Sequence, residues 1–169
     1  MPLGFLAAAA YLWLARPNWL SLIGGAALAG VGIAIRAVAS GHLRKNEELT
    51  TSGPYACTRN PLYLGSIVVA AGFAVAARSA WVVTLLLLLF FIVYLPVIRS
   101  EEVFLRSHFP GYANYAARVP RFVPRLSGIC EAGSGFSLEL YLKHREYNAI
   151  VGALLVIAAL VAKLMWWGA

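Results

Sequence analysis

In this chain of 169 residues, 61% are apolar and only 12% are charged, the mean hydropathy is +0.75, and all seven acidic residues are glutamate. A soluble domain carries about twice that share of charge, so the solvent for most of this protein is lipid. The net charge of +7 fits Lys and Arg held in cytoplasmic loops; with no basic patch interleaved with exposed aromatics, it does not point to nucleic acid as a partner. Cys57 and Cys130 lie far apart with no C-x-x-C spacing, and His42, His108 and His144 are isolated, so neither a disulfide framework nor a metal is expected.

In chain order, five apolar runs approach the roughly 20 residues that a helix rising about 1.5 Å per residue needs to cross a bilayer. Pro2 to Ala15 is short for a full crossing. It lacks the basic start of a signal peptide and meets Arg16-Pro17-Asn18 and then a second apolar run at once, which reads as a helical hairpin. The second run, Trp19 to Ser40, carries Gly24, Gly25, Ala29, Gly30 and Gly32, small residues that let another helix approach closely. Leu62 to Ala77 and Ala80 to Ile98 follow, joined at Arg78-Ser79, and Asn148 to Trp167 closes the set, with Lys163, Trp166 and Trp167 suited to an interfacial belt. The fold class is all-α: a polytopic membrane protein of about five transmembrane helices in a single integral membrane domain.

With five spans, eleven of the 14 Lys and Arg residues fall on one side, and Arg16, Arg78 and Lys163 on the other. The richer side is expected to be cytoplasmic. All seven glutamates, Glu47 to Glu146, share it. A transporter path would set polar groups at mid-membrane depth, and apart from Arg36 near a helix end there are none, so chemistry is expected at the cytoplasmic membrane surface.

Two polar segments on that side could carry it. The first, Ser40 to Pro61, holds Gly53-Pro54-Tyr55-Ala56-Cys57-Thr58-Arg59-Asn60-Pro61 and runs into Leu62-Tyr63-Leu64-Gly65. Gly-Pro and Asn-Pro mark turns, and Pro61 suits the first turn of a helix, so Tyr55, Arg59, Asn60 and Tyr63 stand at a transmembrane helix mouth. Equally, Arg59 reads as a snorkelling cation and the tyrosines as interfacial anchors. The second segment runs from Arg99-Ser100-Glu101-Glu102 through Phe109-Pro110-Gly111-Tyr112-Ala113-Asn114-Tyr115 to Arg118-Val119-Pro120-Arg121-Phe122-Val123-Pro124. Adjacent glutamates on a helix point about 100° apart, so one can face a pocket while the other meets water or pairs with Arg106.

The two blocks, Gly-Pro-Tyr…Arg-Asn-Pro-Leu-Tyr-Leu-Gly and Glu-Glu…Phe-Pro-Gly-Tyr…Tyr…Arg-Val-Pro-Arg-Phe-Val-Pro, together resemble the isoprenylcysteine carboxyl methyltransferase family and the related phospholipid N-methyltransferases. The resemblance covers Leu49 to Pro124. Asn60 departs from it, standing where the eukaryotic carboxyl methyltransferases usually have His. The resemblance implies an integral enzyme of a bacterial or archaeal cell membrane that binds S-adenosylmethionine on the cytoplasmic side and takes a lipophilic or lipid-anchored acceptor from the bilayer. The organisation that follows is an N-terminal hairpin (1–40), a methyltransferase core (49–124), a linker (125–147) and a C-terminal transmembrane helix (148–167).

S-adenosylmethionine presents a sulfonium, an ammonium, a carboxylate and a ribose diol. Aromatic faces stabilise the cation, which makes Tyr55, Tyr63 and Tyr115 cofactor candidates, beside Arg59, Asn60 and Pro61 at the helix mouth. Glu101 or Glu102 can accept from the ribose hydroxyls or pair with the ammonium, and Arg59 can hold the carboxylate. Methyl transfer to a nucleophilic acceptor rests on positioning and desolvation, so no acid–base triad is needed. Arg118 and Arg121, with Glu102, are the catalytic candidates, because an Arg fork can hold a lipid phosphate or a prenylcysteine carboxylate; anchoring to anionic lipid is the competing role. Cys57 reads as filler and His108 as a surface residue. Carboxyl, amine and thiol acceptors remain open, as does oligomeric state. The other readings are a nicotinamide-dependent, sterol-type membrane reductase and a non-enzymatic packing subunit or small transporter.

Overall fold

The computed structural model describes residues 2–44, 47–125 and 135–167. Among these there are helices and no strands: α1 (Pro2–Leu14), α2 (Trp19–Ser40), α3 (Pro54–Cys57), α4 (Pro61–Ala77), α5 (Ala80–Leu89), a π-helical turn (Phe90–Tyr94), α6 (Leu95–His108), α7 (Tyr112–Arg118), α8 (Leu138–Lys143) and α9 (Tyr147–Trp167). The all-α expectation holds. The count of about five spans is not fully supported: among the described residues three helices are long and apolar enough to cross a membrane, Trp19–Ser40, Ala80–His108 and Tyr147–Trp166, while Pro61–Ala77 is apolar but shorter. At 13 residues, α1 is about 20 Å long against a hydrocarbon core of about 30 Å.

The termini follow local chemistry. Asn18 caps α2, its side chain accepting from the Ser21 amide at 2.7 Å while the Ser21 hydroxyl accepts from the Asn18 amide at 3.0 Å, a reciprocal box that satisfies two orphan donors. α4 opens on Pro61 and closes on Arg78 in the left-handed region at φ 48°. The expected fourth span does not stop at Ile98. Nothing breaks the helix before Phe109-Pro110, so α5, the π turn and α6 run on as one rod to His108 and carry Glu101 and Glu102 on it. Pro96 lacks an N–H and crowds the carbonyl four residues before it. Just ahead of it the Leu95 amide reaches back to the Phe90 carbonyl, the wider π spacing.

α2 and α4 form the seam of the bundle. On α2, Gly25, Ala29, Gly32 and Arg36 make one antiparallel stripe; on α4 it is met by Ala76, Gly72, Val69 and Gly65. A Cβ on Gly72 would sit 2.5 Å from the Ala29 amide nitrogen, and one on Gly32 would sit 2.6 Å from that of Val69. Of the five small residues expected to pack, only Gly25, Ala29 and Gly32 face this seam; Gly24 and Gly30 face open space.

At the α1 end, Tyr11, Ala15, Leu22, Ala76, Ala77, Val82 and Leu160 form a buried core. The Arg16 amide donates to the Ala77 carbonyl at 2.7 Å and the Tyr11 hydroxyl to that of Phe73 at 2.9 Å. Lys163 is not simply an interfacial anchor: its Nζ donates to the Leu12 and Ala15 carbonyls at 2.6 and 2.7 Å, closing the last turn of α1, where a helix leaves carbonyls unpaired.

Backbone atoms cannot give way as side chains do, so Gly32→Val or Gly72→Val should lower stability in detergent by about 1–3 kcal/mol or more, as overpacking does. Gly24→Ala and Gly30→Ala should leave the thermal midpoint unchanged or raised, because alanine favours helix. Thermal unfolding of the four variants side by side checks this.

Candidate functional site

The two polar blocks meet at the end of the bundle where α2 finishes and α4 begins. They are joined as a strap: the Arg59 amide donates to the Pro120 carbonyl at 2.9 Å and the Arg125 amide to that of Cys57 at 3.0 Å. Thr58 Oγ1 and Asn60 Nδ2 both donate to the Arg121 carbonyl, at 3.0 and 3.2 Å. The buried Tyr115 hydroxyl donates to the Tyr55 carbonyl at 2.7 Å. Gly53 allows the entry turn, because its φ of 58° suits glycine and a Cβ there would lie 2.6 Å from the His42 ring.

Behind the strap lies a cavity of about 820 Å³. Its walls come from the end of α2 and the following loop, α3, the first turns of α4, the π turn and α6, and α7. Tyr55, Arg59, Asn60, Pro61, Tyr63, Glu101 and Tyr115, all cofactor candidates from sequence, line it together. Glu102, the remaining one, does not. It faces the strap and binds the Arg121 guanidinium through both carboxylate oxygens, one at 2.9 Å, with Arg59 Nη1 3.7 Å away. It does not pair with Arg106. Arg121 is thereby engaged, and the Glu102 hydrogen bond holds its proton more tightly than usual. Arg118 is exposed, donating to its own helix at the Asn114 carbonyl at 3.3 Å. Neither arginine lines the cavity.

Within the cavity, Glu101 accepts from the Tyr63 hydroxyl at 2.9 Å, and Tyr63 meets Tyr94 edge to face with centroids 6.0 Å apart. Arg59 Nη1 is 3.4 Å from the Tyr112 hydroxyl, and its Nε is buried without a partner. A carboxylate, tyrosine rings and a guanidinium with one orphaned N–H line one cavity, a donor and acceptor set whose chemistry fits the ammonium, sulfonium and carboxylate of S-adenosylmethionine. Among the described residues no group of three or more His, Cys, Asp or Glu side chains could hold a metal ion.

Arg36, Ser66, Tyr94 and Tyr112 also line the cavity, although the sequence did not place them among the site residues. An arginine inside an apolar helix is itself the signal for Arg36, and a proline within a helical run is the signal for the π turn that carries Tyr94. His108 is exposed and stacks on Phe104 with centroids 3.9 Å apart. Cys57 corrects an expectation: it is disulfide-bonded and no free thiol. The linker reading (125–147) falls partly outside the described residues, as does Cys130; its later part forms α8.

Burial, chiefly, holds the Tyr55, Tyr112 and Tyr115 hydroxyls protonated above the usual tyrosine value of 10.0, with Glu101 adding to the effect at Tyr55 and Glu102 at Tyr112. A pKa raised on folding gives stability that is complete below the unfolded value and is lost as pH climbs past it. Stability in detergent should therefore be insensitive to these groups up to about pH 10 and decline beyond it. Tyr115→Phe, which leaves the Tyr55 carbonyl short of its donor, should cost about 1–3 kcal/mol at neutral pH. Alkaline unfolding curves of the wild type and Tyr115→Phe check both.

The model of the phospholipid methyltransferase family matches residues 8–111. Over 84 residues, half of this chain, the sequence is 46% identical to the cobalt-zinc-cadmium resistance protein CzcN of Cupriavidus metallidurans and 43% identical to the nickel-cobalt-cadmium resistance protein NccN of Alcaligenes xylosoxydans xylosoxydans. The match spans 39% of the length of each of these curated relatives. No solved structure matches. With more than half its length matched, the chain belongs to the phospholipid methyltransferase family, whose members are integral membrane methyltransferases related to the isoprenylcysteine methyltransferases.

Proposed function

We propose that this member of the phospholipid methyltransferase family transfers a methyl group from S-adenosylmethionine to a lipophilic or lipid-anchored acceptor at the cytoplasmic face of the membrane. The observation that carries the reading is the convergence of both sequence blocks on one cavity, with Tyr55, Arg59, Tyr63, Glu101 and Tyr115 in its walls. S-adenosylmethionine, when bound, supplies a methyl group on a sulfonium, an excellent leaving group. The chain's residues bind and orient. Glu101, fixed by Tyr63, accepts from the ammonium or the ribose hydroxyls. Arg59 Nε donates to the carboxylate, and the tyrosine faces stabilise the positive charge by about 0.5–2 kcal/mol.

Entry from the bilayer is supported by the outer wall. Val93 and Val97 line the cavity and are 44% and 46% exposed on the helix surface, so an apolar tail can lie along this wall while its polar head enters. Exclusion of water then favours in-line attack by a carboxylate, amine or thiol. A prenylcysteine-type carboxylate is our leading acceptor, with a phospholipid or small-molecule nitrogen or sulfur next. Arg118 and Arg121 are proposed to contact the acceptor's anionic head at the rim, and Glu102 to hold Arg121 for it.

S-adenosylhomocysteine should stabilise the purified protein by about 2.7 kcal/mol at 100 times its dissociation constant, and NADPH should not. Glu101→Gln should weaken that binding by about tenfold or more, as loss of a charge-assisted pair does. No thermal shift at millimolar S-adenosylhomocysteine, or a shift with NADPH instead, would dismiss the reading.

A further inference from the structure

The cavity has a support of which one end, Glu146, lies beyond the family match. Arg36, near the C-terminal end of α2, sends Nε and Nη2 to the two carboxylate oxygens of Glu146, at 3.0 and 2.8 Å, just ahead of α9. Its Nη1 donates to the Leu62 carbonyl at 3.4 Å and to the Ser66 hydroxyl, and Ser66 in turn donates to Leu62 at 3.1 Å. The guanidinium therefore has little donor capacity left for a ligand, although Arg36 lines the cavity. It reaches this place across Gly65, where a Cβ would come within 2.6 Å of the Arg36 Cγ. Between Leu62 and Ser66 stands Tyr63, which fixes Glu101 at 2.9 Å. Two polar links, Glu146–Arg36–Leu62/Ser66 and Tyr63–Glu101, thus meet at the first turn of α4, one from α2 and the start of α9, the other from α6.

We propose that the Arg36–Glu146 pair is a positioning device: Glu146 holds the Arg36 fork, the fork braces the first turn of α4, and that turn aims Tyr63 at Glu101. The C-terminal segment thereby sets the ligand affinity of a cavity whose lining it does not enter. Both side chains are mostly buried, at 23% and 12% exposure. Bidentate geometry makes such a pair directional as well as strong, and an arginine so held has no substitute in lysine.

The test has two readouts, and only the second rests on the methyltransferase reading. The first is amide exchange by mass spectrometry on the ligand-free protein in detergent. Glu146→Gln should speed exchange of residues 61–66 by about tenfold, with residues 70–77 unchanged as the internal reference. The second is S-adenosylhomocysteine affinity, which should fall by about tenfold in Glu146→Gln and in Arg36→Lys. Added to Tyr63→Phe, Glu146→Gln should cause little further loss, because both act through one hydroxyl; independent, additive losses would overturn the proposal. Removing one partner leaves a buried charge uncompensated. Where that variant does not fold, the neutral double variant Arg36→Gln/Glu146→Gln takes its place, with the same expected readings. Wild-type exchange in residues 61–66 of the folded variant overturns the proposal whether or not the wild type binds S-adenosylhomocysteine. Failure of the wild type to bind it overturns the methyltransferase reading and leaves exchange to decide the positioning role.

Discussion

The close approach of α2 to α4 is the constraint on which the rest of the structure depends. In lipid there is no hydrophobic drive to press apolar helices together, so association rests on packing and on polar contacts. Gly25, Gly32, Gly65 and Gly72 remove the side chains that would hold the two backbones apart. Once the helices touch, Arg36 can lie across Gly65 and reach Leu62 and Ser66, and the mouth of α4 acquires a fixed position. Had Gly65 been any larger residue, its Cβ would occupy the path of the arginine, and the polar end of the seam would be lost with it.

From that mouth the site is assembled by hydrogen bonds more than by apolar contact. The strap between residues 57–60 and 120–125 takes every acceptor from the backbone, with two donors from the backbone and two from the Thr58 and Asn60 side chains, so it fixes chain positions while leaving the side chains of Arg59 and Tyr55 for the cavity. Charges are divided between two tasks. Glu102 is spent on Arg121 and lies close to Arg59, a structural use. Glu101, one residue along the same helix, turns about 100° away into the cavity, where Tyr63 donates to it. The adjacent pair is divided, one carboxylate engaged by the scaffold and one facing the cavity.

Much of this was legible in the sequence because it rests on local chemistry. Low charge and long apolar runs gave a helical membrane protein; Pro61 marked the start of α4; the order of the two blocks pointed to the residues that line the cavity. What was not legible depends on which residues meet across the bundle. Helical spacing alone cannot distinguish Gly25 and Gly32, which face α4, from Gly24 and Gly30, which do not. The split between Glu101 and Glu102 turns on helix rotation, and the roles of Arg118 and Arg121 on where the strap lies. Lys163 read as an interfacial anchor because its partners are carbonyls at and just past the end of α1, some 150 residues earlier. The number of spans was only partly legible, because the short apolar runs that form α1 and α4 fall below the length that marks a crossing by length and composition alone.

The central claim is that the loop entering α4 and the stretch leaving α6 enclose a single S-adenosylmethionine site. Ultraviolet cross-linking of methyl-labelled S-adenosylmethionine to the purified protein, followed by peptide mapping, addresses it directly. The account predicts label on peptides from both residues 53–66 and residues 97–115, removed by excess S-adenosylhomocysteine. Label confined to the α1 end of the bundle, or label that S-adenosylhomocysteine does not displace, would contradict it.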